Sequence, residues 1–295
     1  MRLLNAVNRH FVARLPITAL LEADATAESV AMLLEGSVTD SHGGSNAALI
    51  AELERDSQLG SEIMPLAMPD MSGERGLVKQ VLLTGATGFV GCFVLEALLR
   101  ETPATTIVCF VRADNDVHAT ARLEHLLAEN HVLPAAIALG WQRRVRAVAA
   151  DISLSPLMGL GEETYRQLAD ATDLVVHVAA QVHSVMPYSR LKAANVEGTR
   201  NMLRLADRGA RSFFAHVSTV GVLPDRSLAP WPEERPVELA SAAGGNGYGQ
   251  SKLVAEHLVL QAAERGLGCC VLRLGNVFAD TRTGVCNHTG KQSIS

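Results

Sequence analysis

The chain has 295 residues, 48% of them hydrophobic and 19% charged, with a formal net charge of −5, enough apolar material for one large core plus a small appendage without disulfides or metal. Scattered lysines and arginines in an acidic balance exclude a nucleic-acid footprint, and no apolar run reaches the ~18 residues of a membrane span. Arg2, Arg9, His10 and Arg14 fall where a signal peptide needs an unbroken apolar stretch, so the expected location is the cytoplasm.

Residues 1–36 place Leu3, Leu4, Val7, Phe11 and Val12 at helical spacing, then Pro16, then a second periodic stretch through Val30, Ala31, Leu33 and Leu34. Two short helices fit this pattern, but not a complete domain. Residues 37–77 hold His42-Gly43-Gly44-Ser45, Pro65, Pro69, Gly73 and Gly76 around one helix near 47–55, a linker or ordered lead-in. From 78 to 295, short β-rich runs alternate with longer helical patterns. The expected strands are 80–84, 106–111, 144–149, 174–177, 213–218 and 270–274, and the expected helices 89–100, 117–129, 162–169, 191–208 and 248–265. This alternation predicts an α/β class with a Rossmann-type doubly wound parallel sheet, preceded by a small, partial helical segment. The five cysteines, Cys92, Cys109, Cys269, Cys270 and Cys286, lack ligand-type spacing, so the expectation is reduced core residues and no metal.

Directly after the first strand comes Thr84-Gly85-Ala86-Thr87-Gly88-Phe89-Val90-Gly91, opening an apolar helix. Glycine permits the turn and a close approach of backbone to pyrophosphate, and the helix start offers free N–H groups with partial positive charge. A dinucleotide site is expected here. Arg112 ends the second strand, twenty-one residues after Gly91, where an NAD site places an acid on the ribose; an arginine suits a 2′-phosphate, hence NADPH. Asp114 keeps NAD as the lesser option, and a solvated surface arginine is the plainer reading of Arg112. Asp151 with Ile152, past the third strand, is a candidate for the adenine, and Ala179 and Ala180 past the fourth leave room for the cofactor.

Tyr248 and Lys252 stand four apart at the start of a helix, so both project from one face. A phenol is a poor acid or base at neutral pH; a nearby ammonium favours the phenolate and can also bind the nicotinamide ribose. Thr219, at the end of the fifth strand, completes a set of proton donor, pKa tuner and oxyanion stabiliser. Ser218 is the competing hydroxyl, and strand alternation allows only one of the two to serve.

These segments resemble the extended short-chain dehydrogenase/reductase superfamily, and within it the thioester reductase domains of nonribosomal peptide and polyketide synthetases and of carboxylic acid reductases. The glycine loop and the Tyr248/Lys252 pair carry the superfamily. Val111-Arg112-Ala113, Val217-Ser218-Thr219 and Arg282-Thr283-Gly284 carry the branch, with Pro187-Tyr188 and Asn195-Val196-Glu197-Gly198-Thr199 in order between them. The resemblance implies NADPH held by residues 84–91 and Arg112, with Thr219, Tyr248 and Lys252 reducing a carrier-bound acyl or peptidyl thioester to an aldehyde, and in some relatives to an alcohol. It implies a place in a larger synthetase.

Two departures stand beside the expected cofactor: Val178-Ala179 where the family commonly has Asn-Gly, and Leu274 where it commonly has proline. Residues 1–36 resemble the latter half of a carrier domain, whose phosphopantetheine-bearing serine would lie upstream of Met1. The sequence stops at Ser295, soon after the sixth strand, so a truncated substrate region and slow turnover are expected. The rival readings are an NAD-dependent nucleotide-sugar epimerase or dehydratase and a non-catalytic Rossmann module.

Overall fold

Six short runs rich in Val, Ile, Leu and Phe assemble into one parallel sheet in the computed structural model, which describes residues 44–64, 78–183, 185–209, 212–223 and 236–286, with Ala31 and Glu233. The strands are β1 (Gln80–Thr84), β2 (Thr106–Val111), β3 (Val145–Ala149), β4 (Leu174–His177), β5 (Phe213–Thr219) and β6 (Cys269–Leu274). They lie in the order β3-β2-β1-β4-β5-β6 with every ladder parallel. A parallel sheet covered on both faces explains why the central strands are continuous apolar runs rather than alternating ones. The order reverses between β1 and β4, and open α/β sheets bind their ligands outside the carboxyl ends of the strands at such a switch point.

The helices are α1 (Gly44–Asp56), α2 (Phe89–Glu101), α3 (Asp116–Glu129), α4 (Leu133–Ala138), α5 (Trp141–Arg144), α6 (Glu162–Ala171), α7 (Tyr188–Lys192), α8 (Gly198–Arg208) and α9 (Gly247–Glu264). Strand alternation divides the core. Val81, Leu83, Ile107, Cys109 and Val111 pack against Leu95, Leu99, Leu123 and Leu127 of α2 and α3. Leu82, Val108, Phe110, Val175 and Phe214 face Leu203, Val254 and Leu258 of α8 and α9.

The strand bounds agree with the sequence to within a residue, but the helices differ in two places. Helices α4 and α5 stand where a connection was expected; Pro134 occupies the first turn of α4, where its missing N–H costs nothing. The single helix expected at 191–208 begins earlier, at Tyr188, and is broken by a π turn at Ala193–Glu197. Cys92 and Cys109 are buried as expected, whereas Cys286 is exposed.

The segment 56–64 is bound to the sheet domain along its length. Asp56 accepts from Tyr188 Oη and Lys192 Nζ, both at 2.7 Å. Arg200 donates to the Asp56 and Gln58 carbonyls and Arg265 to those of Leu59 and Ile63, while Leu53, Leu59 and Ile63 are buried in the α8/α9 core. The carrier-like stretch 1–36 lies outside the described residues apart from Ala31.

Candidate active site

The loop 84–91 joins β1 to α2 at the switch point. Gly85 has φ +78°, and a side chain there would meet the Ala179 backbone nitrogen at 2.6 Å. Gly91 lets α2 pack onto the loop: a Cβ there would sit 1.9 Å from the Gly85 carbonyl oxygen. Gly88 is different. It is exposed, a Cβ would meet only Gly85 O at 3.4 Å, and no side chain caps α2 above it. An open approach to an uncapped helix start fits the pyrophosphate of a dinucleotide.

Thr84 spends its hydroxyl inside the fold, bonded to His177 Nδ1 at 2.8 Å and accepting from Ala179 N at 3.2 Å. Ala86 is buried, whereas Thr87, Phe89 and Val90 are half-buried around the loop. Arg112 lies exposed past β2, and its carbonyl accepts from Arg122 Nη1 at 2.7 Å. That contact brings a second guanidinium to the same edge, one the sequence reading missed because Arg122 falls on the polar face of α3. Asp151 holds Ser153 through Oδ1, taking its N–H at 2.9 Å and its hydroxyl at 2.6 Å. Ile152 packs against Gly198, whose missing side chain would lie 2.9 Å from it. Ala179 is half-buried directly beside Gly85.

Tyr248 and Lys252 occupy successive turns of α9, whose start is capped by Asn246 accepting from Gly249 N at 2.8 Å. The first turn of α9 presses on the chain before α7, because a Cβ on Gly247 would meet the Met186 carbonyl oxygen at 2.3 Å. Thr219, at the carboxyl end of β5, accepts from Gly221 N at 3.0 Å, which leaves its own O–H free to donate. Ser218 is buried and its hydroxyl has no partner among the described residues.

Burial dominates the electrostatics. Desolvation raises the Tyr248 phenol above its ordinary value, keeping it protonated as a donor must be. The ammonium expected to lower that phenol is itself perturbed: Lys252, 1% exposed, falls to about 7 by desolvation, which Glu256 partly opposes. Lys252 Nζ lies 3.1 Å from His216 Nε2, a contact with no local sequence signal. Asn195 was also missed as a positioning group. Set inward by the π turn, it accepts from Gln181 N at 2.7 Å and donates to Gln181 O at 3.0 Å and Ser251 Oγ at 2.9 Å, tying the β4 loop to α9. Among the described residues there is no His/Cys/Asp/Glu group able to hold a metal and no helix long and apolar enough to cross a membrane.

Known proteins resemble this chain in sequence and fold. Over residues 83–292 the chain matches the family model of NAD-binding domains described as Male sterility protein. It is 34% identical to a glycine betaine reductase of Emericella nidulans over 95% of this chain and 22% of that protein. It is 41% identical to an isonitrile lipopeptide synthase of Streptomyces coeruleorubidus over 72% of this chain and 14% of that protein. The crystal structure of the terminal R domain of the myxalamid PKS-NRPS pathway superposes with TM-score 0.73 at 39% identity, covering 81% of this chain and 59% of that one. The chain therefore spans about a fifth or less of these curated relatives. An NAD complex of UDP-glucuronic acid 4-epimerase from Bacillus cereus, 23% identical with TM-score 0.50, shares the fold alone. With a family match running from β1 to beyond β6, the chain belongs to the Male sterility protein family of NAD-binding domains.

Proposed function

We propose that this chain is the cofactor-binding part of an NADPH-dependent thioester reductase that releases a carrier-bound acyl or peptidyl chain as an aldehyde. One observation carries the reading: the uncapped glycine loop, Thr219 and the Tyr248/Lys252 face all lie at the carboxyl edge of one parallel sheet, around its switch point. The likeness to a lipopeptide synthase and to the terminal R domain of a PKS-NRPS pathway supports that substrate class. By the same reading residues 1–36 are the remainder of a carrier domain, 37–77 the lead-in and 78–295 the reductase domain, within a larger cytoplasmic synthetase whose phosphopantetheine arm presents the thioester.

The loop 84–91 would hold the pyrophosphate on its backbone N–H groups, Ala179 would leave space beside it, and Asp151 and Ile152 would border the adenine. Arg112, joined by Arg122, would neutralise the 2′-phosphate and set the preference for NADPH. When bound, the reduced nicotinamide supplies the hydride, which forms a C–H bond at the thioester carbonyl carbon. Tyr248 donates its phenolic proton to the carbonyl oxygen as that oxygen gains charge, and the free O–H of Thr219 donates to the same oxygen. Lys252 keeps two N–H bonds beyond the one aimed at His216, available to the nicotinamide ribose. The hemithioacetal then breaks its C–S bond, giving an aldehyde and a thiolate that takes a proton. Thioester, NADPH and one proton thus become aldehyde, thiol and NADP⁺.

The test is a single turnover with the chain in excess over an acyl-pantetheine thioester, using NADPH deuterated at the transferable position. Deuterated aldehyde, trapped as a hydrazone, is the expected product. Binding of NADH with equal affinity, or a purified chain carrying tightly bound NAD and acting on a nucleotide sugar, would instead support the epimerase reading.

A further inference from the structure

Among the described residues, the buried side-chain atoms without a partner are Asp207 Oδ1, His216 Nδ1 and Ser218 Oγ. Buried polar atoms are almost always bonded, so two orphans in one place need a cause. His216 and Ser218 lie on the same face of β5, two residues and about 6.6 Å apart along the strand. A water with a hydrogen bond of about 2.8 Å at each end bridges atoms up to about 5.6 Å apart, so the two side chains need only lean toward one another for one water to serve both. Above them lies α9, with Lys252 Nζ 3.1 Å from His216 Nε2.

With Lys252 protonated, as it is below about pH 7, the polarity of this chain of groups is determined. An ammonium only donates, so Nε2 must be the acceptor and a neutral His216 must carry its proton on Nδ1. That N–H is the orphan donor, and the Ser218 hydroxyl can accept from or donate to a bridging water. The ring itself is fixed by its neighbours, with His177 and Phe214 at centroid distances of 5.4 and 6.5 Å. The charged and titratable groups around it are Lys252 and Glu256 on α9, His177 on β4, and Arg273 on β6, which is bonded to Glu256 at 2.8 Å. Burial holds both imidazoles well below their ordinary range, and the Lys252 charge adds to the effect.

We infer that His216 is a positioning residue for Lys252, a neutral Nδ1–H imidazole that accepts one lysine N–H and closes its own N–H through an internal water shared with Ser218. The remaining lysine N–H bonds are thereby aimed toward the crevice. The inference rests on reading Lys252 as the cofactor-site lysine, and it assigns the two hydroxyls of β5 to different duties. Ser218 belongs to the buried water, and Thr219 to the substrate.

The deciding measurement is a long-range ¹H–¹⁵N correlation on the ¹⁵N-histidine-labelled chain at about pH 6, without cofactor, with His216→Gln identifying the signal. We expect a neutral ring with unprotonated Nε2, at a pH where a free imidazole is mostly charged, and an Nε2 resonance that moves in Lys252→Met. An Nε2–H tautomer or an imidazolium overturns the inference. NADPH affinity gives a second arm. His216→Gln, which keeps an acceptor, should bind within about threefold of the parent, and His216→Leu about tenfold more weakly. A leucine variant that binds as well as the parent also overturns it. Should the leucine variant fail to fold, the tautomer of the unmodified chain still decides. A parent that does not bind NADPH counts against the cofactor reading, and again the tautomer decides the role of His216.

Discussion

Arg282 lays two guanidinium nitrogens on the two oxygens of Glu96, at 2.8 and 2.7 Å, and so ties the chain beyond β6 to the helix that follows the phosphate loop. Glu96 is 3% exposed and also meets Arg100 at 3.3 Å. Between the joined segments runs a groove of about 410 Å³ lined by Phe89, Val90, Phe93, Val94 and Val277. The Arg-Thr-Gly segment thus works as a latch: Asp280 takes the Thr283 N–H and hydroxyl, and Gly284 turns the chain at φ +72°.

Arg282, by its hydrogen bond, holds the Glu96 carboxyl below the ordinary glutamate value of 4.5. A carboxyl lowered by folding takes up its proton in the unfolded chain first as pH falls. Its stabilisation is present above about pH 4.5 and is lost as pH drops through the folded value. Glu96→Gln should therefore melt below the parent at about pH 7, and the gap should close in acid. A gap independent of pH, read from thermal midpoints, would show that the latch is not ionic.

The glycines of the loop should separate folding from cofactor binding. Gly91→Ala forces a Cβ against the Gly85 backbone oxygen, and should cost on the order of 2–4 kcal/mol. Gly88→Ala meets no such obstacle, so its thermal midpoint should stay near that of the parent while NADPH affinity falls about tenfold. Unchanged affinity in Gly88→Ala would place the pyrophosphate elsewhere.

Much of this was legible in the sequence, for local reasons. Strands such as Ile107-Val108-Cys109-Phe110-Val111 are buried on both faces and advertise themselves. The glycine loop and the Tyr248/Lys252 spacing are contiguous signals. What escaped depends on distant partners. Asn195 turns inward because Gln181 and Ser251, 14 and 56 residues away, receive it. His216 reads as one more strand residue until α9 brings Lys252 over it from 36 residues downstream. The short helix α4 follows an uncapped residue, Val132, and offers no start signal beyond Pro134. Glu96 sits on the buried face of an apolar helix, and its partner lies 186 residues away.

Arg112 and Arg122 should together set cofactor choice. Replacing either by Ala should weaken NADPH by about tenfold, the effect expected of a charge-assisted phosphate contact, and leave NADH unchanged. Titrations of both cofactors against both variants check this. Equal losses for NADPH and NADH would mean that the arginines support the edge of the sheet rather than the 2′-phosphate.

The segment 56–64 should behave as part of the reductase core. Tyr188, 3% exposed, gives its hydroxyl to Asp56, so Tyr188→Phe leaves one carboxylate oxygen short of a donor and should cost about 1–2 kcal/mol. Denaturant unfolding of the chain and the variant measures this loss. No change would mean that Lys192 alone anchors Asp56, at 2.7 Å.

Lys252 should trade stability for function. Its folded value of about 7 lies well below the ordinary 10.5, because burial penalises the ammonium. Between those two values the unfolded chain holds a proton that the folded chain has released, so stability attributable to this group rises with pH across that window. Below about 7 both states are protonated and the burial penalty is at its full size. Lys252→Met removes the penalty, at the cost of the hydrogen bond to His216, and should gain on the order of 1 kcal/mol at about pH 6.5. The gain should shrink toward about pH 9, where the parent lysine is already neutral. Thermal midpoints of the parent and Lys252→Met at those two pH values give the comparison, with NADPH affinity followed alongside. A methionine variant less stable than the parent at both would mean that the Lys252–His216 contact outweighs the cost of burying the charge.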